Sequence, residues 1–254
     1  SCEQPVWMLM GGKLTDGAPM YRVAPQKEIS ETVAEMEAHR ASGYQQFQIK
    51  VGGDWETDIK RIQTIVPLLK SNEKAMADAN QGWRVDNAIR VARATKNLDY
   101  ILEQPCKTYE ECQQVRRVAH QPMKLDECVT DLRMAQRIVR DHGAEMCCLK
   151  ISNLGGLSKA RRVRDFLIEN RIPVVSEDTW GGQITTAAVA HFAASTPKEY
   201  LINSTDLHNY NTRNTGTGGP TTHDGKLFAT DTAGLGVKPD YNSLGLPVAV
   251  SGDV

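Results

Sequence analysis

The sequence predicts a closed barrel of parallel βα units, of TIM-type (β/α)7β form, with an irregular C-terminal tail. Eight short apolar runs recur at a spacing of roughly 25 residues, and helix-length stretches fill the seven gaps between them. From the second run to the sixth, each carries a charged residue at or next to its carboxyl end. The length of 254 residues suits a single closed barrel. An open doubly wound sheet is the alternative, but it rarely uses eight such even repeats.

The candidate strands follow in order. They are MYRVA (20–24), FQIKV (47–51), KAMAD (74–78), YILEQ (100–104), MKLDE (123–127), MCCLKI (146–151), IPVVSE (172–177) and EYLIN (199–203). Ile29, Val33 and Met36 recur at helical spacing in the first gap; Ile59, Ile62, Ile65 and Val66 do so in the second. Ala88, Val91, Ala92 and Thr95 mark the third, while Thr130-Asp131 and Ser158 read as caps of later helices. Beyond Asn203 the pattern stops, and TGTGGP (215–220) reads as loop. The barrel is therefore placed at 18–208 and the tail, packed on it, at 209–254.

Composition excludes several classes. With 30 basic and 31 acidic residues the net charge is −1, which gives no field for steering nucleic acid or an anionic membrane. No apolar run approaches the roughly 20 residues that span a bilayer. Residues 1–12 carry neither the basic nor the long apolar segment of a secretion signal. The six cysteines form no CxxC pair and are read as reduced, mostly buried thiols of a cytoplasmic protein.

The strand ends carry the chemistry. Lys50, Asp78, Glu103, Asp126 and Lys150 close successive runs at spacings of 23 to 28 residues, one βα unit each time. In such a barrel the carboxyl ends of the strands form the active face. A lone carboxylate there is more often a helix cap, and a lone lysine more often a solvated rim residue. Five in register must compensate one another or hold something, because an unpaired buried charge costs several kcal/mol.

Three carboxylates from neighbouring strands repel unless a cation lies among them. Oxygen-only donors suit Mg²⁺ better than Zn²⁺. Asp78, Glu103 and Asp126 are thus the candidate metal ligands, with Asn80 and Glu127 as supporting partners. Lys50 and Lys150, on strands two and six, face one substrate from opposite sides. A nearby metal ion lowers a lysine pKa, which suits removal of a proton next to a carboxylate. Trp83 is read as packing, and His191, within a helical run, as a packed or surface histidine.

These residues sit in motifs: IKVGG at Lys50, ADANQGW at Asp78, ILEQP at Glu103, LDE at Asp126, LKISNLGG at Lys150, and DGKLFATDTAGLGVKPD in the tail. Together they resemble the enolase superfamily, in its branch of mandelate racemase and muconate lactonizing enzymes, over nearly the whole chain. The superfamily's known chemistry is a lysine or histidine base working with Mg²⁺ on an enediolate, and the resemblance implies it here. By resemblance, Asp78, Glu103 and Asp126 hold the metal, and Lys50 and Lys150 are the acid/base pair. The substrate is then a small carboxylate, with neither nucleic acid nor membrane as partner, and a homo-oligomer is expected.

The strand-seven stretch SEDTWGG carries no histidine and narrows the resemblance to enzymes acting on proline-type amino acids. Asp178 and Trp180 are expected to hold a cationic amine by charge and cation–π contact, with Asp206 as a second candidate. The reaction expected is dehydration, or racemisation, of a substrate such as cis-3-hydroxy-L-proline. Other superfamily racemases, epimerases, cycloisomerases or acid-sugar dehydratases remain alternatives, as does a metal-dependent binding barrel without catalysis.

Two departures from the family pattern stand out. Residues 1–17 read as the linker after an α+β capping domain absent from this chain. The strand-two motif, usually Lys-x-Lys, is Gln48-Ile49-Lys50. Gln48 shares a face with Lys50 and is expected to hydrogen-bond a substrate carboxylate without adding charge.

Overall fold

The computed structural model describes residues 2–246. Eight parallel strands follow one another in chain order: β1 (Tyr21–Ala24), β2 (Gln46–Lys50), β3 (Lys74–Asp78), β4 (Ile101–Glu103), β5 (Met123–Leu125), β6 (Met146–Lys150), β7 (Val174–Glu177) and β8 (Leu201–Ser204). A parallel bridge between Met20 and Ser204 joins the first strand to the last, so the sheet curls into a barrel. Seven helices cross back between strands: α1 (Ile29–Ala41), α2 (Trp55–Ile65), α3 (Val85–Ala94), α4 (Tyr109–Arg116), α5 (Leu132–Asp141), α6 (Leu157–Glu169) and α7 (Gln183–Ala194).

The helix starts follow from their first residues. Asp54 accepts from the Thr57 N–H to open α2, and Thr108 with Glu111 forms a reciprocal capping box at α4. Asp131 accepts from the Met134 N–H at α5, as its position predicts. Ser158 is not a cap: α6 begins at Leu157, and Gly156 holds the cap position with φ 105°. A conformation that glycine alone adopts readily displaces the hydroxyl cap there.

The barrel has two unlike faces. Phe47, Ile49, Ala75, Ala77, Leu102, Leu125, Cys147 and Leu149 point outward into one apolar layer under the helices. Alternate positions point inward, and there the core is polar. Asn203 donates to Gln46 at 2.7 Å, and Gln46 in turn donates to the Ile202 carbonyl at 2.9 Å. Both amide nitrogens of this pair have a partner, which makes a polar interior tolerable, while Asn203 Oδ1 is buried without one among the described residues.

The tail is less irregular than its sequence suggests. Gly216–Gly218 pairs with Val237–Pro239, and Thr221–His223 pairs with Lys226–Phe228, which also pairs with Ala18–Pro19. Runs of two or three residues carry too little pattern to be read as strands; pairing partners define them. The segment before β1 also docks here, through Val6 N to the Gly234 carbonyl at 3.0 Å and Trp7 N to His191 Nδ1 at 3.2 Å. His191 is fully buried beneath it. Residues 247–254, the end of the predicted tail, lie outside the described residues.

Candidate active site

The strand register sets the site. Lys50 on β2 is the Cα partner of Asp78 on β3, and Asp78 that of Glu103 on β4. Side chains at these positions alternate inward, so the charges meet. Lys50 Nζ donates to Asp78 Oδ2 at 2.6 Å and to Asn80 Oδ1 at 2.9 Å. Asn80 is held from both sides, its N–H on Asp78 Oδ1 at 2.9 Å and its amide on Glu127 Oε1 at 3.1 Å. Across the barrel, Lys150 Nζ donates to Asp126 Oδ2 at 2.7 Å.

The middle carboxylate is held differently. Glu103 is fully buried and pairs with Lys124, also fully buried, at 2.6 Å. Its other oxygen accepts from Gln48 Nε2 at 3.2 Å. Gln48 therefore directs one amide N–H at Glu103, a contact the sequence expectation did not include, while it also lines the cavity. The pairing of β2, β3 and β4, invisible in the linear sequence, brings Gln48 to Glu103.

The loop after Lys50 is fixed by one carboxylate. Asp58 accepts from the Gly52 and Gly53 N–H groups and from Trp83 Nε1, each at 2.9 Å. Gly52 has φ 98°, and a Cβ there would lie 2.1 Å from the Ala79 carbonyl oxygen, so only glycine fits. Trp83 packs, as expected, and its N–H also locks this turn.

A cavity of about 340 Å³ opens at the strand ends, lined by Lys50, Lys150, Asp78, Asp126, Glu177 and Trp180 among others. Gln48, Asn80, Tyr21, Thr179 and Tyr210 also line its wall. Larger clefts lie elsewhere: one of about 530 Å³ is formed by Tyr109, Arg116, Arg137 and neighbours on α4 and α5, on the outer surface and away from the strand ends.

Electrostatics link the carboxylates and lysines. Burial pushes the Glu103 carboxyl up to about 8, with Asp78 adding to the rise and Lys124 opposing it. Burial likewise pushes Asp126 up to about 7, helped by Glu177 and opposed by Lys150. Burial alone would lower Lys50, but Asp78 outweighs it and the ammonium is held above its usual range. Lys150 is raised against the same burial, by Cys148, Asp126 and Glu177. In the metal-free chain both ammonium groups are thus held above their usual range, because each faces a carboxylate.

Two of the residues proposed to bind an amine are engaged elsewhere. Asp206 is fully buried and forms a two-pronged ion pair with Arg22, whose Nη2 lies 2.9 Å from Oδ2. Arg22 also lies over the Tyr44 ring, 4.3 Å from its centroid. Asp178 turns away from the cavity and accepts from the Ser152 N–H and hydroxyl and from the Thr179 N–H. Trp180 does line the cavity mouth; it is 59% exposed and lies 6.0 Å from Tyr210, ring to ring.

Comparison with known proteins now bears on this arrangement. Residues 31–243 match the family described as enolase C-terminal domain-like. The chain belongs to that family. As an enolase-type barrel, it is 41% identical over 97% of its length to cis-3-hydroxy-L-proline dehydratase of Roseibium aggregatum, and covers 67% of that enzyme. A mandelate racemase/muconate lactonizing enzyme structure from Roseovarius nubinhibens ISM superposes with a TM-score of 0.94 at 77% identity, over 97% of this chain and 69% of that one. A second structure from the same organism, 28% identical with a TM-score of 0.93, is complexed with magnesium; the match covers 99% of this chain and 71% of that one. The enolase-type barrel thus spans about two thirds of the length of these relatives.

Whether this enolase-type barrel suits a metal can be judged from its own atoms. Asp78, Glu103 and Asp126 offer oxygen only, and Asp126 Oδ1 is buried without a hydrogen bond among the described residues. That oxygen is a free ligand position, and the donor set fits a hard cation in kind. Among the described residues, however, no three His, Cys, Asp or Glu side chains already converge as a metal cage. The lysines stand where a cation would neutralise the carboxylates.

Sequence reasoning passed over two site residues. Glu177 closes IPVVSE, pairs in register with Lys150, and lines the cavity. Its strand-end position 27 residues after Lys150 is the same signal that found the others. Lys124 lies two residues before Asp126 on the same inward face, so strand alternation applied to MKLDE would have found it.

Proposed function

We propose that this barrel removes the proton α to a carboxylate in a small amino acid, and that its reaction is dehydration of cis-3-hydroxy-L-proline. The observation that carries the proton-transfer reading is two lysines, from strands four apart in an eight-stranded barrel, facing one cavity. The substrate reading is supported by the 41% identity to a cis-3-hydroxy-L-proline dehydratase along 97% of the chain.

Asp78, Glu103 and Asp126 would hold Mg²⁺, which when bound supplies positive charge to draw the carboxylates off the lysines and to stabilise the charge developing on the substrate carboxylate. Lys50 and Lys150 sit on opposite sides of the substrate. One takes the α-proton, leaving the C–H electron pair in an enediolate; the other donates a proton to the departing 3-hydroxyl, which leaves as water. The product is a cyclic enamine acid. Asn80, tied to Lys50, Asp78 and Glu127, fixes the Lys50 ammonium in direction. Glu177 at the cavity wall is the carboxylate placed to pair with the substrate amine, with Trp180 closing over it by cation–π contact.

The opposed lysines also favour a second reading, racemisation. If no group leaves, the enediolate takes a proton back on the other face. Incubation with Mg²⁺ and cis-3-hydroxy-L-proline or L-proline in D₂O, followed by NMR, separates the two. Loss of the 3-hydroxyl identifies the dehydratase; α-deuteration of both enantiomers of proline identifies the racemase. Absence of exchange with every proline-type amino acid would exclude this substrate class. Glu177→Gln is expected to raise KM for amino-acid substrates and not for a carboxylate that lacks the amine.

A further inference from the structure

We propose that Lys124 is a built-in partner of Glu103, a positioning residue that holds this one carboxyl group in place whether or not a metal is bound. The inference rests on the reading of Asp78, Glu103 and Asp126 as metal ligands.

Each of those carboxylates faces a lysine, but the three lysines differ in access. The Lys50 side chain is 29% exposed and the Lys150 side chain 11% exposed, and both line the cavity. They can leave their carboxylates when a cation or substrate arrives. Lys124 is 0% exposed, does not line the cavity, and has only Glu103 at 2.6 Å and the Met76 thioether at 3.8 Å within reach of its ammonium among the described residues. An ammonium enclosed in this way has no alternative partner, and separating the pair strands a buried charge. Lys124 is therefore the permanent partner and the other two are exchangeable.

Glu103 is also flanked from the opposite side. Lys124 reaches its Oε1 from β5, and Gln48 Nε2 reaches its Oε2 at 3.2 Å from β2. The two positions approach the same carboxylate, one with a cation and one with a neutral amide. An ammonium at either seat can hold the same carboxyl group, so the role should be transferable from 124 to 48.

The test is thermal unfolding of the purified protein in EDTA and in excess Mg²⁺, for wild type, Lys124→Met, and Lys124→Met combined with Gln48→Lys. Methionine keeps the chain length and packs against Met76. Lys124→Met is expected to lower Tm in EDTA by roughly 10 °C, with most of the loss regained in Mg²⁺. The double variant is expected to regain it in EDTA as well. A purely space-filling lysine would respond to neither. The proposal is overturned if Mg²⁺ stabilises the wild type but the Lys124→Met loss is recovered neither by Mg²⁺ nor by lysine at position 48. If wild-type Tm does not respond to Mg²⁺, the metal reading fails, and recovery in EDTA on adding Gln48→Lys still judges the positioning role. If Lys124→Met does not fold, the double variant decides: folded in EDTA supports the proposal, unfolded overturns it.

Discussion

Lys50 and Asp78 are Cα partners across β2 and β3, and their side chains meet at 2.6 Å at the floor of the cavity. The strand ladder that builds the barrel therefore also aims the ammonium. Lys150 is held in the same way by Asp126 on the far side. If these two amines move the proton, Lys50→Ala and Lys150→Ala should each lose on the order of 10²–10⁴-fold in turnover. Because they line one cavity from strands four apart, each variant should abolish α-proton exchange for one proline enantiomer in D₂O and spare the other. Equal loss for both enantiomers in both variants would show that they do not act on separate faces.

Stability of the metal-free protein should fall as pH rises. Folding raises the Asp126 carboxyl to about 7 and the Glu103 carboxyl to about 8, mainly by burial. Between the ordinary carboxylate range and these values the folded state holds more protons than the unfolded state. Their contribution is complete at low pH and is lost as pH passes through about 7 and then about 8. Urea midpoints in EDTA, taken from about pH 5 to about pH 9, should decline across that window. Mg²⁺ competes with the same protons, so its affinity should rise over the same range. A midpoint that climbs with pH would contradict this.

Asp206 should behave as a structural residue. It is buried against Arg22, and breaking such a pair costs about 3–5 kcal/mol. Asp206→Asn is expected to lower stability by about that amount in denaturant unfolding, while KM for an amino-acid substrate stays near the wild-type value. A large KM effect with stability intact would return Asp206 to the substrate.

Trp180 should show the opposite pattern. It is 59% exposed at the cavity mouth, so little packing depends on it. A cation–π contact contributes about 0.5–2 kcal/mol, so Trp180→Ala should raise KM by about 2- to 30-fold with Tm unchanged. An unaltered KM would remove Trp180 from the substrate's surroundings.

Much of this molecule was legible in one dimension. Strand KAMAD was read with its observed limits, and the other seven strands fall within two residues of theirs, because apolar runs bounded by polar loops have few other folds open to them. The rim charges were found because an ionised residue at the end of a buried run is costly unless something holds it. Motifs then pointed to the enolase family, which the comparisons show. Glu177 and Lys124 lay within reach of the same arguments, one as a strand-end charge and the other as an inward position on its strand.

Partnership was decided only by the fold. Nothing local distinguishes Asp178, which accepts from Ser152, from Glu177 beside it, which lines the cavity. Strand alternation turns adjacent residues to opposite faces, and only the barrel says which face is inside. Asp206 pairs with Arg22 across 184 residues of chain, and Gln48 meets Glu103 across 55. Such contacts depend on which strands become neighbours and in what register. The sequence by itself determined which charges are forced to the strand ends; the tertiary structure decided which of them meet each other and which meet the cavity, because that depends on distance and direction in space rather than on residue type.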